Sequence, residues 1–293
     1  MLLSVEIDTS FIVPLLQYLS KPSKKHLIEI TSHDAAIKTH AHAVRFRNTS
    51  KNISLFWKSI LQQLSKNGNL VELVKTNLEF VNNQTEQFNK LLADLQNYFP
   101  EGTNLRSILY LILGYDIGIV SDGYALINLG HPDLQKNPLE ILFMAMHELH
   151  HVVYTAYNPI FDLTQIHRTD QLFDVVKYCT HMEGLAVYST LEQRKSAKTL
   201  ENRDYRLFLD EKARRKRVSE YFDILTDLEI RADSPIHESD WRIIERMSDR
   251  DRLWYVTGAH MAQVIEKKKG RETLIETIRL GPDDFFKMYH ESF

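Results

Sequence analysis

Residues 139–154, LEILFMAMHELHHVVY, constrain the fold of this chain more than any other stretch. Apolar side chains surround the segment on nearly every side as far as His147, and a helix that is apolar all round has to be buried. Its start is well signalled. Asn137 can cap, Pro138 suits the first helical position, and Glu140 can return a bond to the cap. Yet His147, Glu148, His150 and His151 sit in its middle, and buried polar groups are costly unless something satisfies them. His147 and His151 are four residues apart, so their imidazoles share a face and can converge on one tetrahedral ion, with Glu148 beside the water on that ion. Without a metal, backbone carbonyls would have to satisfy the histidines. His150 projects off the line of the other two and reads as a supporting or packed histidine.

Two histidines do not complete such a site, which needs a third protein ligand and one position open to water. A helix expected from about Gln171 to Glu192 offers one. Its apolar stripe runs Leu172, Val176, Cys179, then Ala186 and Thr190, and the position that continues it is Glu183. A carboxylate on a buried stripe is explained by a metal, or alternatively by a core ion pair with an arginine. Gly184 beside it weakens the helix but lets another backbone approach closely. Cys179 reads as a small core residue, and Asp174 and Glu192, nearer the helix ends, as solvated.

HELHH followed by HMEGLAVY resembles the gluzincin group of metallopeptidases. The later run WYVTGAHMAQVIEKKKGRETLIETIRLGPDDFFKMYH is similar to other members of that group, and the likeness covers residues 115–293. It implies a zincin-like catalytic region, a peptide or protein substrate, and one Zn2+ held by His147, His151 and Glu183. Such an ion acidifies its water and polarises the scissile carbonyl, and Glu148 takes the proton and passes it to the leaving amine. For the donor that steadies the oxyanion, Tyr255 comes first and His260 second, both on a helix starting near Arg250. One departure stands out. The best-known gluzincins carry an acid four residues after the ligand glutamate, where this chain has Val187. The run Tyr124–Leu129, YALINL, could be the sheet edge along which an extended peptide adds, or an ordinary core strand. Residues 155–170 are polar and long enough to fold over the site.

The rest of the chain sets the frame. Residues 107–130 are rich in β-branched and aromatic side chains around Ser121-Asp122-Gly123, which reads as a hairpin turn. From Ser54 to about Tyr98 apolar residues recur at three- and four-residue steps, broken by Lys66-Asn67-Gly68-Asn69 into two helices. The expectation is a mainly α chain with a small antiparallel sheet (α+β). An α-helical N-terminal region would span 1–110 and the zincin-like catalytic region 111–293. A formal charge of -3 gives no reason to expect nucleic acid or an acidic membrane as partner. The basic run Lys212 to Arg217 is flanked by Glu211 and Glu220 and reads as a solvated helix face. Cys179 is the only cysteine, so no internal disulfide can form. The N-terminal stretch, with Glu6, Asp8 and Pro14 and no basic start, makes a poor signal peptide, and no apolar run is long enough to cross a bilayer. A cytoplasmic protein is expected. His33, His40 and His42 read as hydrogen-bonded or solvated helix residues. Two other readings compete with the enzyme. One is a catalytically inactive interaction module of the same fold with a structural metal. The other is a di-iron carboxylate bundle, which would need a second Glu-x-x-His that the chain lacks.

Overall fold

The computed structural model describes residues 2–46, 49–160 and 166–293. The chain divides into two compact units, Met1–Gln96 with Thr103–Val153, and Asn97–Gly102 with Tyr154–Phe293.

The first unit opens with β1 (Leu2–Asp8) and the helices α1 (Ile12–Ser20), α2 (Lys24–Ser32), α3 (Asp34–Phe46), α4 (Ile53–Leu64), α5 (Leu70–Asn83) and α6 (Thr85–Gln96). It continues with β2 (Asn104–Ile112), β3 (Gly118–Ser121), β4 (Tyr124–Asn128) and most of α7 (Leu139–Tyr157). The break at residues 65–69 is as expected, and a further break at Gln84, within the polar run Asn82–Thr85, makes three helices where two were read. Phe11, Trp57, Leu61 and Val74 are buried among these helices, with Trp57 edge-on to Phe11 at 5.3 Å.

The sheet differs from the expected antiparallel one. It is mixed, in the order β1-β2-β4-β3. β1 pairs parallel to β2 and β2 parallel to β4, while β3 and β4 form the antiparallel hairpin. Asp122 and Gly123 have φ of 51° and 80°, the two positive values that a tight hairpin turn demands. Parallel neighbours need a long crossover, which α1 to α6 supply between β1 and β2. β1 lies in the region expected to be helical, and the alternation of Leu3, Val5 and Ile7 with Ser4, Glu6 and Asp8 is the signal that reading passed over. β4 is also not the sheet edge. It lies between β2 and β3, with Ala125, Leu126 and Ile127 fully buried, and the outer strands are β1 and β3. α3 contacts both β2 and β3, so it packs across a face of the sheet rather than along the edge of β3.

α7 begins as its sequence dictates, with the Leu139 amide donating to Asn137 Oδ1 at 3.1 Å. Of the stretch 155–170, read as able to cover the site, residues 161–165 lie outside the described residues.

The second unit takes in the last turn of α7. It adds α8 (Thr169–Ser189), α9 (Leu191–Ala197), α10 (Arg203–Leu209), α11 (Glu211–Ile230), α12 (Glu238–Glu245), α13 (Leu253–Lys269), α14 (Arg271–Leu280) and α15 (Pro282–His290). Leu172, Val176, Tyr221, Leu253, Met261 and Phe285 belong to its core. The basic run on α11 is occupied locally. Arg215 pairs with Glu211, Lys216 with Glu220 at 3.7 Å, and Arg217 Nε donates to the Asp251 carbonyl at 2.8 Å. No helix among the described residues is long and apolar enough to cross a membrane.

α8 and α13 meet backbone to backbone. A Cβ placed on Gly184 would stand 2.3 Å from Gly258 Cα, and one on Gly258 would stand 2.1 Å from the Thr180 carbonyl oxygen. Both obstacles are main chain and cannot swing aside. Gly184→Ala and Gly258→Ala are each expected to destabilise the protein by at least ~2 kcal/mol. The measurement is the urea unfolding midpoint, and an unchanged midpoint in both variants would contradict the contact.

Candidate metal centre

α7 turns His147 and His151 to one side, with their rings 4.5 Å apart and nearly perpendicular at 81°. His151 is 6% exposed and Glu148, between them in sequence, 5%. The Glu148 carboxylate rests on the first residue of β3. A Cβ at Gly118 would lie 2.6 Å from Glu148 Oε1, so glycine at that place is what admits the carboxylate against the strand. α8 supplies Glu183, half-buried, one residue before the glycine at which α8 meets α13.

His147, His151 and Glu183 form a cluster in which each offers one ligand atom, all within 4.8 Å of one another. Donors at ~2.0–2.1 Å from a tetrahedral zinc stand about 3.3 Å apart. At 4.8 Å or less the cluster is wider than that by at most about 1.5 Å, a gap that small side-chain rotations close, and two imidazoles with one carboxylate are a donor set that zinc accepts. The residues fit the ion.

The neighbours of the cluster have other employment. His150 is 1% exposed on the same helix and stands outside the cluster. His181, two residues before Glu183, is fully buried and holds the second unit together. Thr277 Oγ1 donates to the Leu274 carbonyl and so accepts from His181 Nε2–H at 3.0 Å, which leaves Nδ1 to accept from the Tyr154 hydroxyl at 3.0 Å. Burial lowers its pKa to about 3, so it stays neutral. Burial, and after it the charge of Glu183, push the Cys179 thiol above its ordinary range. Glu192 is exposed and pairs with Lys195 at 2.7 Å. Val187 is 1% exposed, packs with Leu191, Tyr205 and Phe208, and gives its carbonyl to the Tyr205 hydroxyl at 3.0 Å. That position is core here.

Tyr255 and His260 both lie on α13 but in different electrostatic surroundings. Burial, and after it the Glu183 charge, raise the Tyr255 hydroxyl well above its usual range. Burial lowers His260 to about 4, helped by Arg214 on α11. Glu183 thus acts on Tyr255, and Arg214 on His260. His260 packs edge-on to Tyr289 at 6.1 Å. Two residues that sequence reading passed over belong to the surroundings of Tyr255. Arg252 lies over its ring, and Asp204 holds Arg252. Burial opposes the charge of Arg252, yet Tyr255, Asp204 and Glu183 together hold the guanidinium above its ordinary range. Nothing in the sequence announces the pair, which is separated by 48 residues. The other histidine-rich region, in the first unit, is hydrogen-bonded as read, His33 to Ser10, His40 to the Ser50 carbonyl and His42 to Tyr115.

Fold and site together define a mainly helical protein with a His/His/Glu cluster suited to zinc. Residues 19–293 match the model of a family described as "Putative zinc dependent peptidase (DUF5700)", and the chain belongs to that family. No curated protein and no solved structure matches the chain.

If the cluster holds the ion, removing one donor leaves two, too few for tight binding. The wild-type protein is expected to retain zinc through gel filtration, and Glu183→Ala to lose most of it. Elemental analysis of both decides the matter, and equal zinc in the two would exclude Glu183.

Proposed function

We propose that this protein is a zinc-dependent hydrolase that cleaves peptide bonds, of the HExxH-plus-glutamate (gluzincin) class, with a peptide or protein as substrate. His147, His151 and Glu183 would hold one zinc ion. The observation that carries this reading is the convergence of their ligand atoms within 4.8 Å, with the buried Glu148 adjacent to His147 on the same helix.

Zinc at that cluster would acidify a water molecule toward neutrality and polarise the scissile carbonyl. Every other task falls to the chain. Glu148 takes a proton from the attacking water and hands it to the leaving amine. Tyr255, which its burial keeps protonated, donates its hydroxyl to the carbonyl oxygen as negative charge builds there. His260 is the second choice for that donor. A peptide in extended form adds alongside β3, the outer strand whose first residue touches Glu148. Main-chain hydrogen bonds to β3 would then carry the peptide backbone past the general base.

Two variants test the assignment against fluorescein-labelled casein or a mixed peptide library. Glu148→Gln keeps the shape but cannot accept the proton, and it should retain zinc while hydrolysis falls by roughly 100-fold or more. Undiminished hydrolysis with zinc in place would sink the base assignment. Zinc retained in the wild type with no hydrolysis of any library peptide would favour the inactive module. Gly118→Ala probes the contact from the other side. Its backbone is permissive, and the nearest obstacle is the flexible end of Glu148. The expected result is a displaced carboxylate, with hydrolysis lowered about ten-fold or more, zinc retained, and the unfolding midpoint shifted by no more than ~1 kcal/mol.

A further inference from the structure

At the head of α13 stands a left-handed residue that is not glycine. Arg252 has φ 56° and ψ 37°, a conformation that L side chains rarely adopt. Such a conformation persists only where the surroundings over-determine it. Here they do. The Arg252 guanidinium forms a fork with Asp204, Nε donating to Oδ1 and Nη2 to Oδ2, each at 2.6 Å. Its remaining arm, Nη1, donates to the Ser248 carbonyl at 2.6 Å. The flat guanidinium covers the ring of Tyr255, with Cζ 3.4 Å from the ring centre.

The other half of the fork is just as fixed. Asp204 is 6% exposed, in the first turn of α10, and its own amide donates to Asn202 Oδ1 at 3.0 Å. Next to it, Arg203 donates to the carbonyls of Asp249 and Arg250 at 2.9 and 2.5 Å. Tyr205, one residue further, bonds Thr190 Oγ1 at 2.7 Å and the Val187 carbonyl at 3.0 Å near the end of α8. α10 therefore grips both the segment ahead of α13 and the helix that bears Glu183. The charge of Glu183 acts on Arg252 and on Tyr255 alike.

A bidentate carboxylate fixes a guanidinium in direction as well as in place, because both N–H bonds lie in one plane. A plane held against an aromatic face then fixes the tilt of that ring. We propose that Asp204 and Arg252 are positioning residues for Tyr255. The fork sets the guanidinium plane, the plane sets the phenol ring, and the hydroxyl is held ready to donate to an oxyanion at the metal centre. The inference rests on Tyr255 being that donor, as argued above. It deepens that reading by naming what makes the donor preorganised.

The test uses the full chain loaded with zinc and acetohydroxamate as an oxyanion-bearing probe. Tyr255→Phe and Asp204→Asn are each expected to weaken acetohydroxamate binding about ten-fold with zinc content unchanged. The double variant should bind no more weakly than Tyr255→Phe alone, since a fork with no hydroxyl to orient has nothing left to contribute. Arg252→Lys keeps the charge without the fork, should behave as Asp204→Asn does, and replaces it if that variant does not fold. A second readout needs no metal. In ring-13C-tyrosine protein, the Tyr255 signal, assigned by its loss in Tyr255→Phe, should move in Asp204→Asn and Arg252→Lys while other tyrosine signals hold. Additive losses of affinity, or a Tyr255 signal that does not move, overturn the positioning role. An unchanged affinity in Tyr255→Phe removes the donor itself and the proposal with it. A wild type that binds no zinc refutes the metal centre, an outcome that elemental analysis reads separately.

Discussion

The contact of two helix backbones at Gly184 and Gly258 is the constraint on which the second unit depends. With no side chain between them, α8 and α13 stand closer than ordinary helix pairs, whose axes are ~8–10 Å apart. Glu183 precedes one glycine and Tyr255 lies one turn before the other. The crossing therefore brings a carboxylate and a phenol into each other's field. The glycines cost helix propensity, about 1 kcal/mol each relative to alanine, and the close approach offsets it.

Two sets of polar side chains on α7 and α8 differ in what they face. His181 has both ring nitrogens engaged by hydroxyls in a fixed donor order, and it lies stacked on Phe285 at 4.4 Å. It is a neutral core histidine that ties α7, α8 and α14. His147, His151 and Glu183 present their ligand atoms to one another instead. Two imidazoles and a carboxylate gathered so closely are a donor set that one cation can share. Arg252, which feels the charge of Glu183, forks onto Asp204.

In the first unit a strand and a helix meet at Glu148. A mixed sheet with β4 inside leaves β3 as one of its two outer strands, and Gly118 at the start of β3 accommodates the Glu148 carboxylate. A larger residue there would push against the group proposed as the base. The identity of one small residue on a strand and the pose of an acid on a helix are linked by contact alone.

Elements whose causes are local are legible along the chain. The buried helix from Leu139, its Asn137 cap, the pairing of His147 with His151 by helical spacing, and the Asp122-Gly123 hairpin all follow from residues a few positions apart. The stripe on α8 singled out Glu183 because one carboxylate interrupted an apolar period, and Gly184 announced a close approach without saying to what. Tertiary structure alone decided the partner of that glycine, the parallel pairing of β1 with β2 across six helices, the place of β4 inside the sheet, and the Asp204–Arg252 fork beneath Tyr255. The reason is common to all of these. Periodicity and capping report how a residue meets its neighbours along the chain, whereas strand order and long-range ion pairs are fixed by packing between segments that no local spacing connects.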